Sequence, residues 1–80
     1  MTDNFAEQDG VLAADLEFAD FAAAISFVNR VAVVSEERNH HPDILVHGWN
    51  KVRLTLSTHD AGGAVTAADH ELAAAIEALL

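Results

Sequence analysis

The chain has 80 residues and carries thirteen acidic against four basic side chains, for a formal net charge of -9. This charge repels phosphate backbones and anionic membranes, so no direct nucleic-acid binding is expected. The absence of cysteine excludes disulfides and thiolate metal sites. No apolar run is long enough to span a bilayer, and residues 1–4 lack the features of a secretion signal. We expect one domain over residues 1–80 and a cytoplasmic location.

The first predicted elements are two strands joined by a tight turn. Asp9 and Gly10 form a pair that accepts the positive φ angles of such a turn. Beyond the turn, apolar and mostly polar positions alternate with the period of a strand that has one dry face. The predicted dry face consists of Leu12, Ala14, Leu16 and Phe18.

A long helix is predicted after Asp20, which is an N-cap residue, and it should end near Asn39. Pro42 disfavours helical backbone at the residue before it, and asparagine tolerates the left-handed conformation that closes helices. His40 and His41 should therefore lie at the C-terminus of this helix. Its predicted apolar stripe consists of Phe21, Ala24, Ile25, Val28, Val31, Ala32 and Ser35.

The second half of the chain predicts another hairpin, over residues 44–57, followed by a helix that reaches Leu80. If the strand alternation continues, His59 projects from the polar side of the strand end. Thr66 and Asp69 have the spacing of a capping box at the start of the last helix. The predicted stripe of this helix consists of Leu72, Ala75, Ile76 and Leu79.

The order of elements, β-β-α-β-β-α, predicts an α+β fold. Hairpin connections imply a four-stranded antiparallel sheet, and a single dry face implies that both helices pack on that face.

Histidine is the residue type that most suggests chemistry here, because imidazole both gives and accepts protons near neutral pH. His40 and His41 lie where the helix dipole favours a protonated ring, with Glu36 one turn before His40. A general acid can be built there. His47 and His70 are more simply interpreted as surface residues.

A metal site is the rival interpretation of the same residues, with His40, His41, His59 and Glu36 as ligands. Adjacent histidines usually point in different directions, and no His-x-x-x-His pair is present. We therefore expect neither a metal nor a cofactor.

The spacing of several residues resembles the signature of the pterin-4a-carbinolamine dehydratases. These residues are Glu36, His40-His41-Pro42, Trp49, His59 and Asp69. The resemblance covers roughly residues 12–78. It implies that His40, His41 and His59 are catalytic and line a pterin pocket. It further implies substrate contacts from Asn39, Ser57, Thr58 and Asp60, with Glu36 and Asp69 supporting the site.

The resemblance implies dehydration of a 4a-hydroxytetrahydropterin to the quinonoid dihydropterin, in tetrahydropterin recycling. It also implies the family fold and a homodimer or homotetramer. Three features depart from the family pattern: the usual N-terminal helix is apparently missing, Trp49 replaces a tyrosine, and residues 64–65 insert one position. The alternative function is a non-catalytic protein–protein module on the same scaffold, acting as a dimerisation cofactor or assembly chaperone, since an acidic surface suits a basic protein partner.

Overall fold

A computed structural model describes residues 4–80; residues 1–3, part of the polar start noted above, lie outside the described residues. The chain forms strands β1 (Ala6–Gln8) and β2 (Val11–Glu17), helix α1 (Phe21–Arg38), strands β3 (Asp43–His47) and β4 (Lys51–Leu56), and helix α2 (Ala67–Glu77). The strands build one antiparallel sheet in the order β1-β2-β4-β3. The predicted fold class and order of elements are confirmed.

The two central strands and both helices enclose the core. Leu12 and Ala14 of β2 pair with Leu56 and Leu54 of β4, and these four side chains are almost completely buried. The fully buried helix residues that pack with them are Phe27 and Val31 of α1 and Leu72 and Ile76 of α2. Burial of such apolar side chains is the main favourable contribution to folding, at about 25 cal/mol per Å² removed from water.

Local turn chemistry agrees with the predictions from sequence. Asp9 and Gly10 have φ angles of 51° and 84° in the β1–β2 turn. The Asp20 carboxylate accepts from the Ala23 amide at 2.7 Å and so caps α1. Asn39 closes α1 in the left-handed conformation, with φ 50° and ψ 41°. Because α1 ends there, the residues that follow turn toward β3.

The predicted stripe of α1 was correct only in part. Three of its members are buried, namely Ala24, Val31 and Ser35, but the stripe left out Phe27. Phe27 is completely buried, whereas Phe21 is 54% exposed and Ala32 is also exposed. Apolar residues occur on several sides of this helix, including the exposed Val33, so periodicity alone does not identify the side that meets the sheet.

One helix boundary and the burial of several alanines also differ from the predictions. Helix α2 ends at Glu77 rather than Leu80. The amide of Leu80 donates to the carbonyl three residues before it, Glu77, and not to the one four residues before it as in an α-helix. Ala73 is buried, and Ala75 is only half-buried. On the open face of the sheet, Ala13 is 2% exposed because it lies between its partners in β1 and β4.

Removal of the α1 N-cap should weaken the fold without changing its core. We expect Asp20→Ala to lower the free energy of unfolding by about 1 kcal/mol, because the Ala23 amide loses its acceptor. Asp20→Asn keeps an oxygen at this position and is the matched control. Urea unfolding measures the difference, and equal stability of Asp20→Ala and the unmodified chain would contradict the capping role.

Candidate functional site

A cleft of about 310 Å³ lies where the C-terminal ends of α1 and β4 meet the start of β3. All seven residues predicted as catalytic or substrate-binding border it. Its lining consists of Asn39, His40, His41, Pro42, Asp43, Ser57, Thr58, His59 and Asp60. Two sequence segments, 39–43 and 57–60, therefore provide one concave surface.

His40 is tied to a buried carboxylate behind the cleft. Its Nε2 atom lies 2.6 Å from Asp69 Oδ1, and its side chain is 18% exposed. The His40 amide bonds to the Ser35 carbonyl at 3.1 Å, so the turn that ends α1 also holds the histidine backbone. Both ends of this residue are therefore fixed.

Asp69 is completely buried, yet all of its bonding partners favour the ionised form. Its Oδ2 accepts from the Thr58 hydroxyl at 2.7 Å and from the Thr66 amide at 2.9 Å, and the latter bond is part of the predicted capping box. Burial alone raises the pKa of Asp69, but the hydrogen bonds from His40, Thr58 and Thr66 outweigh it and hold that pKa below its ordinary value. A carboxylate in this state accepts hydrogen bonds and donates none.

His41 points away from His40, as the sequence analysis anticipated for adjacent histidines. Its Nε2 lies 2.5 Å from Glu36 Oε2, and both side chains are mostly exposed. Glu36 was expected beside His40, and that placement is wrong. The left-handed turn at Asn39 ends the helical spacing, so the carboxylate meets His41 instead.

His59 reaches the cleft by a different route from the one predicted. Strand β4 ends at Leu56, and His59 begins a short 3-10 turn, His59–Ala61. The amides of Ala61 and Gly63 both bond to the Thr58 carbonyl, and Gly62 and Gly63 adopt φ angles of 70° and 85°. The strand alternation therefore stops before His59, and the two glycines close the turn that follows it.

Other residues at the site carried weaker signals in the sequence. Pro42 and Asp43 border the cleft, and both lie next to the histidine pair in a segment already noted for its resemblance. Thr66 was predicted only as a helix cap. Trp49 belongs to the spacing signature but lies in the β3–β4 turn, 63% exposed and outside the cleft lining. Within residues 4–80, no three His, Asp or Glu side chains are grouped closely enough to hold a metal ion.

The sequence also matches the model of a known protein family. Residues 3–79 match the sequence model of the family described as pterin 4 alpha carbinolamine dehydratase. The chain belongs to this family. The residues that the signature and the cleft lining share are His40, His41, Pro42 and His59.

Sequence relatives and solved structures extend this result. A protein of Acidobacterium capsulatum, provisionally named a pterin-4-alpha-carbinolamine dehydratase, is 58% identical over 81% of this chain and 68% of its own length. A similarly named protein of Gloeobacter violaceus is 56% identical over 88% of this chain and 76% of its own length. A Brucella melitensis structure described as a transcriptional coactivator/pterin dehydratase superposes with a TM-score of 0.86 at 29% identity, covering 96% of this chain and 82% of the other.

A second solved structure belongs to a relative with another described role. It is a pterin dehydratase-like protein identified as a RuBisCO assembly factor in the alpha-carboxysome. It superposes with a TM-score of 0.74 at 26% identity, covering 94% of this chain and 84% of the other. Members of this dehydratase-like fold therefore include proteins with roles in assembly.

The contribution of the Asp69 carboxylate to the free energy of unfolding should depend on pH. We expect Asp69→Asn to lower the free energy of unfolding by about 1–3 kcal/mol at neutral pH, because a buried bonding network is broken. The folded-state pKa lies below that of the unfolded chain, about 3.9, so this contribution is complete above about pH 5 and is lost as pH falls through the folded value. Urea unfolding of both proteins from pH 7 to pH 2 measures the difference. A difference that stays constant throughout would contradict an ionised, hydrogen-bonded Asp69.

Proposed function

We propose that this protein is a hydro-lyase that converts 4a-hydroxytetrahydropterin to quinonoid dihydropterin and water. The observation that carries this proposal is the His40–Asp69 pair, at 2.6 Å, beside a cleft that His59 also borders. The reaction needs an acid for the C4a hydroxyl and a base for the proton on the neighbouring ring nitrogen. Two imidazoles supply both functions near pH 7 without a metal or cofactor.

The bonding of His40 suits the role of base. Asp69 accepts a hydrogen bond from Nε2–H, so Nδ1 is the nitrogen with a free lone pair when the ring is neutral. After Nδ1 accepts the pterin N–H proton, the buried carboxylate stabilises the imidazolium that forms. The electron pair released at the nitrogen forms a double bond to C4a as the C4a–O bond breaks.

The acid in this proposal is one of the two other histidines of the cleft, His59 or His41. Either ring, when protonated, delivers the proton with which the C4a hydroxyl departs as water. His59 is exposed, so it exchanges protons with solvent between turnovers. His41 is hydrogen-bonded to the Glu36 carboxylate, which holds its ring in place beside the cleft.

Substrate recognition in this proposal uses the remaining groups at the edge of the cleft. The amide of Asn39, the hydroxyls of Ser57 and Thr58 and the carboxylate of Asp60 lie there. Such donors and acceptors match the polar edge of a pterin ring. The cleft volume of about 310 Å³ is at the lower end of the range for small-molecule sites.

Assembly and location are part of the same proposal. We propose that residues 1–80 act as one domain in the cytoplasm and that the protein forms a homodimer or homotetramer. Strands β1 and β3 are the two edges of the sheet, and their unpaired backbone groups are available to another copy. Neither helix described in residues 4–80 is long and apolar enough to cross a membrane.

A non-catalytic role is the second candidate. It is favoured by the described roles of the two structural neighbours, one a coactivator/dehydratase and one a RuBisCO assembly factor. With a formal charge of -9, this chain would suit a basic protein partner. A purely non-catalytic module would give no dehydration above the uncatalysed rate, so the enzyme assay separates the two candidates.

Substitution of the cleft histidines tests the proposed catalysis. We expect His40→Ala and His59→Ala each to lower the enzymatic rate by about one to three orders of magnitude, because each removes a proton-transfer group. The assay follows dehydration of freshly generated 4a-hydroxytetrahydropterin. His47→Ala is the matched control, since His47 is exposed in β3 and does not line the cleft. Unchanged rates in both cleft variants would refute the assignment.

A further inference from the structure

Two threonines stand behind the histidine–carboxylate pair in a continuous series of hydrogen bonds. Thr66 Oγ1 lies 2.6 Å from Thr58 Oγ1, and Thr58 Oγ1 lies 2.7 Å from Asp69 Oδ2. Asp69 Oδ1 lies 2.6 Å from His40 Nε2. Four side chains from three separate segments of the chain are therefore linked in one row.

The number of available protons decides which group is the donor in each of these hydrogen bonds. Thr58 has one hydroxyl proton, and the ionised Asp69 can only accept it. The contact between the two hydroxyls therefore requires that Thr66 donates to Thr58. At the other end, Asp69 accepts from Nε2–H of His40. Every donor thus points toward the carboxylate.

Thr58 also holds the segment that carries His59. Its amide donates to the Ala64 carbonyl at 2.9 Å, and its own carbonyl accepts from Ala61 and Gly63. Its hydroxyl is bonded to Asp69 at the start of α2. One residue therefore connects the turn of His59 with the partner of His40.

We propose that Thr58 and Thr66 are positioning residues that fix His40 in the tautomer with the proton on Nε2. Nδ1 is then kept unprotonated and available to the substrate. This inference rests on the proposed dehydratase function, where His40 acts as the base. Thr58 was expected to contact the pterin; its hydroxyl proton is committed to Asp69, so it can offer a ligand only a lone pair.

The threonines are needed because an aspartate can present either oxygen, or a proton when it is protonated, to a neighbouring imidazole. With Oδ2 held by the Thr58 hydroxyl and the Thr66 amide, only Oδ1 faces His40. Loss of the Thr58 hydroxyl leaves Oδ2 with the amide alone. Rotation or protonation of the carboxylate then allows the opposite tautomer, in which Nδ1 carries the proton and cannot act as a base.

Nitrogen NMR of the imidazole rings reads the tautomer directly and needs no enzyme assay. At a pH high enough that the ring signals no longer change with pH, so that the rings are neutral, we expect His40 Nε2 in the protonated range and Nδ1 in the unprotonated range. His70 is exposed and outside the cleft lining, and it serves as the reference for an unconstrained ring that averages both tautomers. A His40 ring that averages like His70 in the unmodified protein would overturn the inference without any variant.

Two valine variants then test the threonines. Thr58→Val and Thr66→Val keep the β-branched shape and remove the hydroxyl, and we expect the two His40 nitrogen signals to move toward each other. We expect Thr58→Val to lower kcat by about tenfold, as for partners that orient metal-bound histidines. Thr58→Ser should restore both the signals and the rate. Unmoved His40 signals in both valine variants would overturn the proposal.

Asp20→Ala separates positioning from a loss of stability. It removes a helix cap at the opposite end of α1, so it weakens the fold and should leave the His40 signals in place. Movement of those signals in Asp20→Ala to the same extent as in Thr58→Val would assign the effect to general destabilisation and refute the proposal. If the unmodified protein shows the fixed tautomer but no dehydration, the proposed enzyme function fails while the hydrogen-bond series stands.

Discussion

The burial of the Asp69 carboxylate is the constraint on which the cleft depends. A charge removed from water is costly unless donors surround it, and here the donors come from α2 itself, from the end of β4 and from the end of α1. Satisfying one carboxylate therefore brings three segments together. His40 is one of those donors, so the requirement that stabilises the fold also orients the proposed base.

Two chain reversals deliver the histidines to this point. The left-handed Asn39 ends α1 and turns His40 toward the start of α2 while His41 turns toward Glu36. After β4, His59 begins a short turn that Gly62 and Gly63 close, and His59 borders the same cleft. The core of α1, α2 and the central strands provides the rigid base that such a site needs.

Features that depend on neighbouring residues could be predicted from the sequence, and contacts between distant residues could not. The Asp9-Gly10 turn, the Asp20 cap and the Asn39 terminus were predicted correctly because each depends on a few neighbouring residues. The buried side of α1 was predicted only in part, because apolar side chains occupy several sides of this helix and Phe27 was missed. The capping role of Asp69 could be predicted from its spacing to Thr66. Its bond to His40 could not, because it joins residues 29 positions apart. Family resemblance named seven of the nine residues that line the cleft, but not which carboxylate bonds to which histidine.

An experiment that locates a bound pterin tests the assignment of this cleft most directly. Titration of the protein with a stable dihydropterin, followed by imidazole NMR, reports which of the five histidines meets the ligand. We predict that the His40 and His59 signals shift in a saturable way while those of His47 and His70 stay in place. Saturable binding that moves only His47 or His70, or no shift at any histidine at high ligand concentration, would contradict the assignment of this cleft as the pterin site.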